Sequence, residues 1–427
     1  MVRCFTRSGY NHDFSGMTAN AQALAAFRHF PAALPALRNL VFEDPFDDNP
    51  RHLTTDDIPV NLARPLRRAV SVLAACTALE VLFIKHASER AVIAASLALP
   101  RLCCLQRLRV SPRLHASEEE MARGHCPGVH GATAAVALAA ALRPLTALTY
   151  LDLQSIAVTR YGGAALVDAM YSLSQLRDLR RPHVGGPCMA PGAFLLNKSY
   201  GKPAAQSAAP PPALTRLHLG HRNLLSKAEC QLMQSAWTPQ RLRRLSLCGL
   251  QGVGAADVAA ALRPLAGGAL TWVTLRDCAL DADLAAAAAL GAALAALPHL
   301  ASLDCASVLA VKSESSGSTD HNAADLQPPA ALVSQLNGAL LPPLAACTAL
   351  CTLRVCLTVR SHMHARRREQ DSVSLATAEA QLSPLSALTT LTSLNIYLSD
   401  VHGSIVRDSV LPQLPALDDK HCITSRF

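Results

Sequence analysis

Three groups of side chains in this chain have the chemical types that catalysis or binding needs. His125-Cys126-x-x-x-His130 and His362-x-His364 are clusters of metal-ligand type. A structural zinc ion takes four ligands, usually in paired spacing, and neither cluster supplies them, so both read as solvated loop residues and no metal is expected. Arg366-Arg367-Arg368, with Arg360 nearby, has the charge to meet nucleic acid, anionic lipid or an acidic protein patch. Glu369 and Asp371 follow at once, and a solvated loop is the plainer reading. The third group alternates with apolar residues: Arg107 and Arg109, Tyr150 and Asp152, Arg216 and His218, Arg244, Trp272 and Arg276, Asp304, Arg354, Asn395 and Tyr397. Alternation puts them on one face of short strands with the apolar residues on the other. Trp, Tyr and Arg are the types enriched at binding hot spots.

Catalytic signatures are missing. The sequence has no Gly-rich phosphate loop, G-x-S-x-G elbow or kinase set. Its isolated Asp, His and Ser have no spacing that brings them together, and catalysis needs side chains in mutual geometry. The expectation is a non-enzymatic chain with no cofactor and no small-molecule substrate.

Composition says what must hold such strands. Of 427 residues, 50% are apolar but only 4% aromatic, so the core must be built from Leu, Ala and Val. That suits stacked similar layers better than one globular core. The formal charge is +8 with six Lys, so the basic residues are overwhelmingly Arg. An Ala- and Arg-rich chain is what a GC-rich genome encodes; the alternative is an acidic partner. The segment Met1 to Ser8 lacks the apolar core of a signal peptide. No apolar run long enough to span a bilayer is seen. Fourteen Cys without framework spacing read as reduced thiols, with Cys103 and Cys104 expected to pack at a helix end. A cytoplasmic address follows, with cytoskeletal or axonemal association left open.

The positioning element is a repeat. Leu270 to Leu280 sets apolar residues at Leu270, Val273, Leu275 and Leu280 with Cys278 between, which is the L-x-x-L-x-L-x-x-C-x-L pattern. Cys278 is expected to turn the chain after the strand. The first three positions recur from Leu37, Leu79, Leu105, Leu148, Leu214, Leu242, Leu300, Leu350 and Leu391, with a degenerate unit from Leu176, where Arg181 occupies a core position. Starts at 214, 242, 270 and 300 lie 28 to 30 residues apart. Two identical echoes precede strand units: Leu73 to Leu79 recurs as Leu344 to Leu350, and Ala139 to Leu145 as Ala259 to Leu265. Helix-like segments fall between, at 18–30, 64–75, 88–99, 132–142, 162–173, 226–236, 254–262, 281–297, 329–345 and 374–382.

These units resemble the ribonuclease-inhibitor-like subclass of leucine-rich repeat proteins. The resemblance covers residues 23–417, with segments 1–22 and 418–427 outside it. It implies an α/β solenoid of about ten to eleven irregular repeats: a right-handed horseshoe with parallel strands on its concave face and helices on its convex face. Insertions at 182–212, 311–328 and 360–371 are expected to be disordered. Most units lack the Asn/Cys position, with Ile156, Leu250 and Val308 there instead, so irregular turns between layers are expected. No polar capping repeat is evident after Leu417, which predicts sticky terminal strands. The resemblance further implies a scaffold whose concave residues Arg107, Arg109, Tyr150, Asp152, Arg216, His218, Arg244, Trp272, Arg276, Arg354 and Tyr397 bind a protein partner, possibly acidic. A GTPase activator or a ubiquitin-ligase substrate adaptor is the alternative.

Overall fold

A computed structural model describes residues 17–20, 36–43, 70–85, 89–111, 132–153, 165–166, 168–170, 172–180, 211–219, 241–248, 254–281, 283–310, 329–359 and 383–397. The insertions at 182–210, 311–328 and 360–371 lie outside these residues, as do both histidine clusters and the helix-like segments at 226–236 and 374–382.

The chain divides into two compact units, Met1–Thr215 and Arg216–Phe427. The first holds strands β1 (Met17–Asn20), β2 (Asn39–Glu43), β3 (Val81–Lys85), β4 (Arg107–Val110), β5 (Tyr150–Asp152) and β6 (Asp178–Arg180), with helices α1 (Glu89–Ala98) and α2 (Ala132–Leu142). The second holds β7 (Arg216–Leu219), β8 (Arg244–Cys248), β9 (Trp272–Asp281), β10 (Ser302–Ala310), β11 (Thr352–Val359) and β12 (Ser393–Tyr397). Its helices are α3 (Ala255–Leu262), α4 (Leu284–Ala295) and α5 (Pro329–Leu344). Within each unit consecutive strands pair in parallel, in sequence order. Helices cross between them, as parallel pairing requires. In the first unit α1 packs on α2; in the second α4 packs on both α3 and α5.

Register follows the leucines. In the first unit Leu40, Leu82, Leu108, Leu151 and Leu179 stand side by side across β2 to β6. In the second, Leu217, Leu245, Val273, Leu303, Leu353 and Leu394 do so across β7 to β12. All are buried, as are Ile84, Val110, Leu153, Leu219, Leu247, Leu275, Cys305 and Val355 two residues further on. A one-residue slip would expose every one of them, so burial alone enforces the register.

The repeat extends further upstream than the strand pattern shows. In eight layers the N–H of the strand-opening leucine bonds the carbonyl three residues back: Leu79 to Cys76, Leu105 to Leu102, Leu148 to Leu145, Leu176 to Leu173, Leu214 to Pro211, Leu300 to Leu297, Leu350 to Cys347 and Leu391 to Leu388. The residue three back bonds three back again, as Cys76 does to Leu73 and Leu297 to Leu294. Bonds of this span give three residues per turn, so side chains three apart share a face. The working consensus is therefore L-x-x-[L/C]-x-x-L-x-x-L-x-L, one apolar stripe that changes from period three to period two where the strand begins. Cys76 and Cys347 fill the same buried turn position, and burial pushes each thiol up from 9.0 to about 11.

Layers are also joined at one shared carbonyl. Arg243 O accepts from the N–H groups of both Thr271 and Trp272 (2.8 and 3.0 Å), and Thr271 O accepts from Ala301 and Ser302 (2.9 and 3.0 Å). Thr271 Oγ1 adds a third donor to Arg243 O at 3.1 Å. Thr149, Thr215 and Thr392 repeat this, each donating its hydroxyl to the preceding layer at 3.1 Å. The Leu-Thr pairs of the sequence are thus inter-layer staples.

Several expectations change. Residues 18–20, placed in a helix, form β1 and pair with β2, because Met17 to Asn20 register against Leu40 to Glu43. The unit from Leu176 is a full layer: Leu176 and Leu179 are buried and β6 pairs with β5. Cys278 does not end its strand. β9 runs ten residues through it, and the pairing slips from Arg276 opposite Ala306 to Ala279 opposite Val308, a bulge that absorbs one extra residue on β9. Cys103 and Cys104 are exposed rather than packed; Leu102 and Leu105 take the buried positions beside them. Pro211 and Pro212, assigned to an insertion, form the turn whose Pro211 O accepts the Leu214 N–H at 3.0 Å.

Helix placement otherwise follows the sequence. Asp283 caps α4, its carboxylate accepting the Ala285 N–H at 2.9 Å. Gly291 on α4 allows a close crossing: a Cβ there would stand 2.6 Å from Leu340 O on α5. Leu275 has no exposed surface, so Leu275→Ala should cost about 2–5 kcal/mol, measured by denaturant unfolding. No change in the unfolding midpoint would mean that this register is wrong.

Candidate binding face

The residues opposite the buried stripe form a ladder on each sheet, two residues per layer and a third where the strand is long enough. In the first unit the ladder residues of β3 to β6 are Val81, Phe83 and Lys85, then Arg107 and Arg109, Tyr150 and Asp152, Asp178 and Arg180. They are closely coupled. Asp152 is only 2% exposed, and its Oδ2 accepts the Tyr150 hydroxyl at 3.1 Å. The same oxygen lies 3.3 Å from Arg109 Nε and 3.7 Å from Arg180 Nη1. The three charged residues share one rung, Arg109 opposite Asp152 opposite Arg180. A buried carboxylate is tolerated only when charge and hydrogen bonds surround it, and this rung supplies both. The guanidinium groups also cover rings: Arg109 over Phe83 at 4.6 Å, Arg107 and Arg180 over Tyr150 at 5.6 and 5.5 Å.

In the second unit the first rung reads Arg216, Arg244, Trp272, Ser302, Thr352, Ser393 and the second His218, Ser246, Thr274, Asp304, Arg354, Asn395. Arg276 and Tyr397 stand one step further along β9 and β12. Asp304 is again the hub of an Arg–Asp–Arg triad. Its Oδ2 accepts from Arg276 Nε at 2.8 Å and from Arg276 Nη2, while Arg354 Nε lies 3.8 Å from Oδ1. Trp272 is 40% exposed, yet it is not unpaired: Nε1 donates to Thr274 Oγ1 at 2.9 Å and the Arg244 guanidinium lies 4.9 Å from the ring centroid. The Arg–Trp stack keeps the guanidinium desolvated on one side only.

The residues selected from the sequence therefore separate by environment. Asp152 is buried and Arg109 half-buried within the face. Arg107, Arg216, Arg244, Trp272, Arg276 and Arg354 are exposed, Arg276 and Arg354 also facing Asp304, and Tyr150 and His218 are half-buried. Tyr397 lies on β12 opposite Cys356. Phe83, Lys85 and Arg180 belong to the same ladder but were missed; the same alternation applied to the units from Leu79 and Leu176 would have found them.

Each unit is a leucine-rich-repeat solenoid. That follows from one parallel strand per repeat, leucines in register and helices between. No family model matches the chain, and no curated protein matches it. Solved structures similar to it include the following two. A TLR13–ssRNA13 complex is 12% identical over 86% of this chain with TM-score 0.40, and the chain spans only 41% of that protein's length. The Leptospira interrogans LRR protein LIC12759 is 12% identical over 83% of this chain and 74% of its own, with TM-score 0.36. Among the described residues no helix is long and apolar enough to cross a membrane, and no group of three ligand-type side chains could hold a metal ion.

The hub around Asp152 has a pH signature. Burial first, then the neighbouring Asp152 charge, pushes the Tyr150 phenol from 10.0 to about 12. The folded state thus favours the neutral phenol, a contribution fully present below pH 10 and lost as pH rises towards 12. The stability difference between the wild type and Tyr150→Phe should be constant below pH 10 and shrink above it. A difference that stays constant to pH 12 would place Tyr150 outside the hub.

Proposed function

We propose that this protein is a non-enzymatic interaction scaffold whose strand face binds an acidic segment of a protein partner, centred on Arg216, Arg244 and Trp272. One observation carries this reading. Arg216 and Arg244 stand directly opposite each other on β7 and β8 with Trp272 next in line. No residue of that rung is acidic. Arg244 is exposed and its guanidinium lies against the Trp272 ring, so a carboxylate reaching this pair would meet a cation and an aromatic face together. The aromatic face beside them adds apolar contact of the kind found at hot spots. Arg241 and Arg243, both exposed, add positive charge in the turn just before β8. The other arginines of the second unit's ladder, Arg276 and Arg354, already face Asp304.

The finer assignment to the ribonuclease-inhibitor-like subclass is supported by the 28- to 30-residue spacing of the units from Leu214 to Leu300 and by the full helices α3 and α4. The exposed free thiols of Cys103 and Cys104 support a reducing, cytoplasmic setting.

Only Trp237 accompanies Trp272 in the sequence, so a Trp237→Phe background makes fluorescence report on Trp272 alone. Titration with a glutamate-rich peptide should quench it in a salt-sensitive way. Arg244→Glu should weaken binding by tenfold or more, about 1.4 kcal/mol, whereas Arg107→Glu on the first unit should leave it unchanged. Equal affinity of the wild type and Arg244→Glu, or no salt-sensitive quenching at all, would overturn the reading.

A further inference from the structure

The exposed cysteine pair between α1 and β4 has no structural explanation. Leu102, Cys103, Cys104 and Leu105 form a tight turn closed by the Leu105 N–H donating to Leu102 O at 3.0 Å. Both leucines are fully buried, so the turn is anchored at each end and its two central residues face solvent. The two thiols are free and exposed, on adjacent residues of the turn. Arg38 and Glu80, themselves paired at 2.9 Å, lie near enough to Cys104 to act on its charge from opposite directions.

The other layers show that the fold does not ask for cysteine here. At the two central positions of the same turn stand Thr77-Ala78, Thr146-Ala147, Ser174-Gln175, Pro298-His299, Thr348-Ala349 and Thr389-Thr390. The cysteines that serve packing in this turn, Cys76 and Cys347, sit one position earlier and are buried. A pair of thiols held side by side on an anchored turn, with no packing role, has the chemistry of a chelating dithiol.

We propose that Cys103 and Cys104 form a binding site for a soft, two-sulfur-seeking electrophile of the trivalent organoarsenical class. With a monosubstituted arsenic(III) oxide the step is a condensation. Two As–S bonds form, the As=O bond breaks, and its oxygen leaves as water with both thiol protons. Neither sulfur nor arsenic changes oxidation state, so no oxidant or reductant enters. The anchored turn presents both sulfurs in advance, so the second bond forms intramolecularly at high effective concentration. A disulfide is disfavoured by comparison: adjacent residues bring their Cα atoms to about 3.8 Å, closer than an unstrained bridge allows.

The test uses the full chain and phenylarsine oxide, with the adduct located by mass mapping of the turn peptide. Cys103→Thr/Cys104→Ala takes the residues of the protein's own Thr-Ala turns, so it should fold, and Cys103→Thr and Cys104→Ala singly each leave one thiol. Native-state protection of Cys76 and Cys347 from N-ethylmaleimide verifies the fold of every variant. The wild-type turn should hold one arsenical that 2-mercaptoethanol removes only at roughly 100-fold higher concentration than from either single variant, while dimercaptopropanol removes it readily. The double variant should carry no adduct on this peptide. Release from the wild type at the same monothiol concentration as from the single variants would overturn the proposal, as would a wild-type turn peptide without adduct.

Discussion

The structure depends on one leucine per layer being covered by the leucine of the next. No single repeat can bury its own apolar stripe; Val273 is inaccessible because Leu245 stands on one side of it and Leu303 on the other. The polar backbone follows the same division. In eight layers a pair of strand-opening N–H groups is satisfied by one carbonyl of the preceding layer, and in four layers a threonine hydroxyl also donates to such a carbonyl. Stability in such a stack is a sum of layer and interface terms, so a change in one layer is felt by its two neighbours.

Fixing the stripe also fixes the opposite face. Every second strand residue is presented in register with its counterparts, and a charged residue must then find its balance along a rung. Two solutions appear. Around Asp152 and around Asp304 an acid is set between two arginines and the charge is neutralised locally. At Arg244 and Trp272 the arginine lies on the indole instead. The first arrangement stabilises the face; the second presents a guanidinium and an indole at the surface. This distinction separates arginines that the sequence presents as equivalent.

Much of this was legible in the residues, for physical reasons. Period-two burial marks strands, and ten of the eleven strand units from Leu37 onward stand out because Leu or its equivalents occupy all three positions. The eleventh, from Leu176, was obscured by Arg181, although two buried leucines sufficed to hold its layer. β1 was hidden because Met17 to Asn20 carries no leucine, and its pairing depends on β2 rather than on its own pattern. The turn of period three is harder to see because Cys76, Pro211, Gly267 and Cys347 break its row of leucines. Least legible were the ion pairs. Arg276 meets Asp304 from a strand 28 residues away, and only the register brings the two together.

Residue-resolved hydrogen exchange of the intact protein addresses the central claim most directly. If in-register burial holds the layers, the N–H groups of Trp272, Ser302 and Thr352, which bond the preceding layer's carbonyls, should exchange only through opening of the stack, at one common slow rate. The same three amides exchanging independently, and as fast as those of the exposed turn at Cys103 and Cys104, would contradict it.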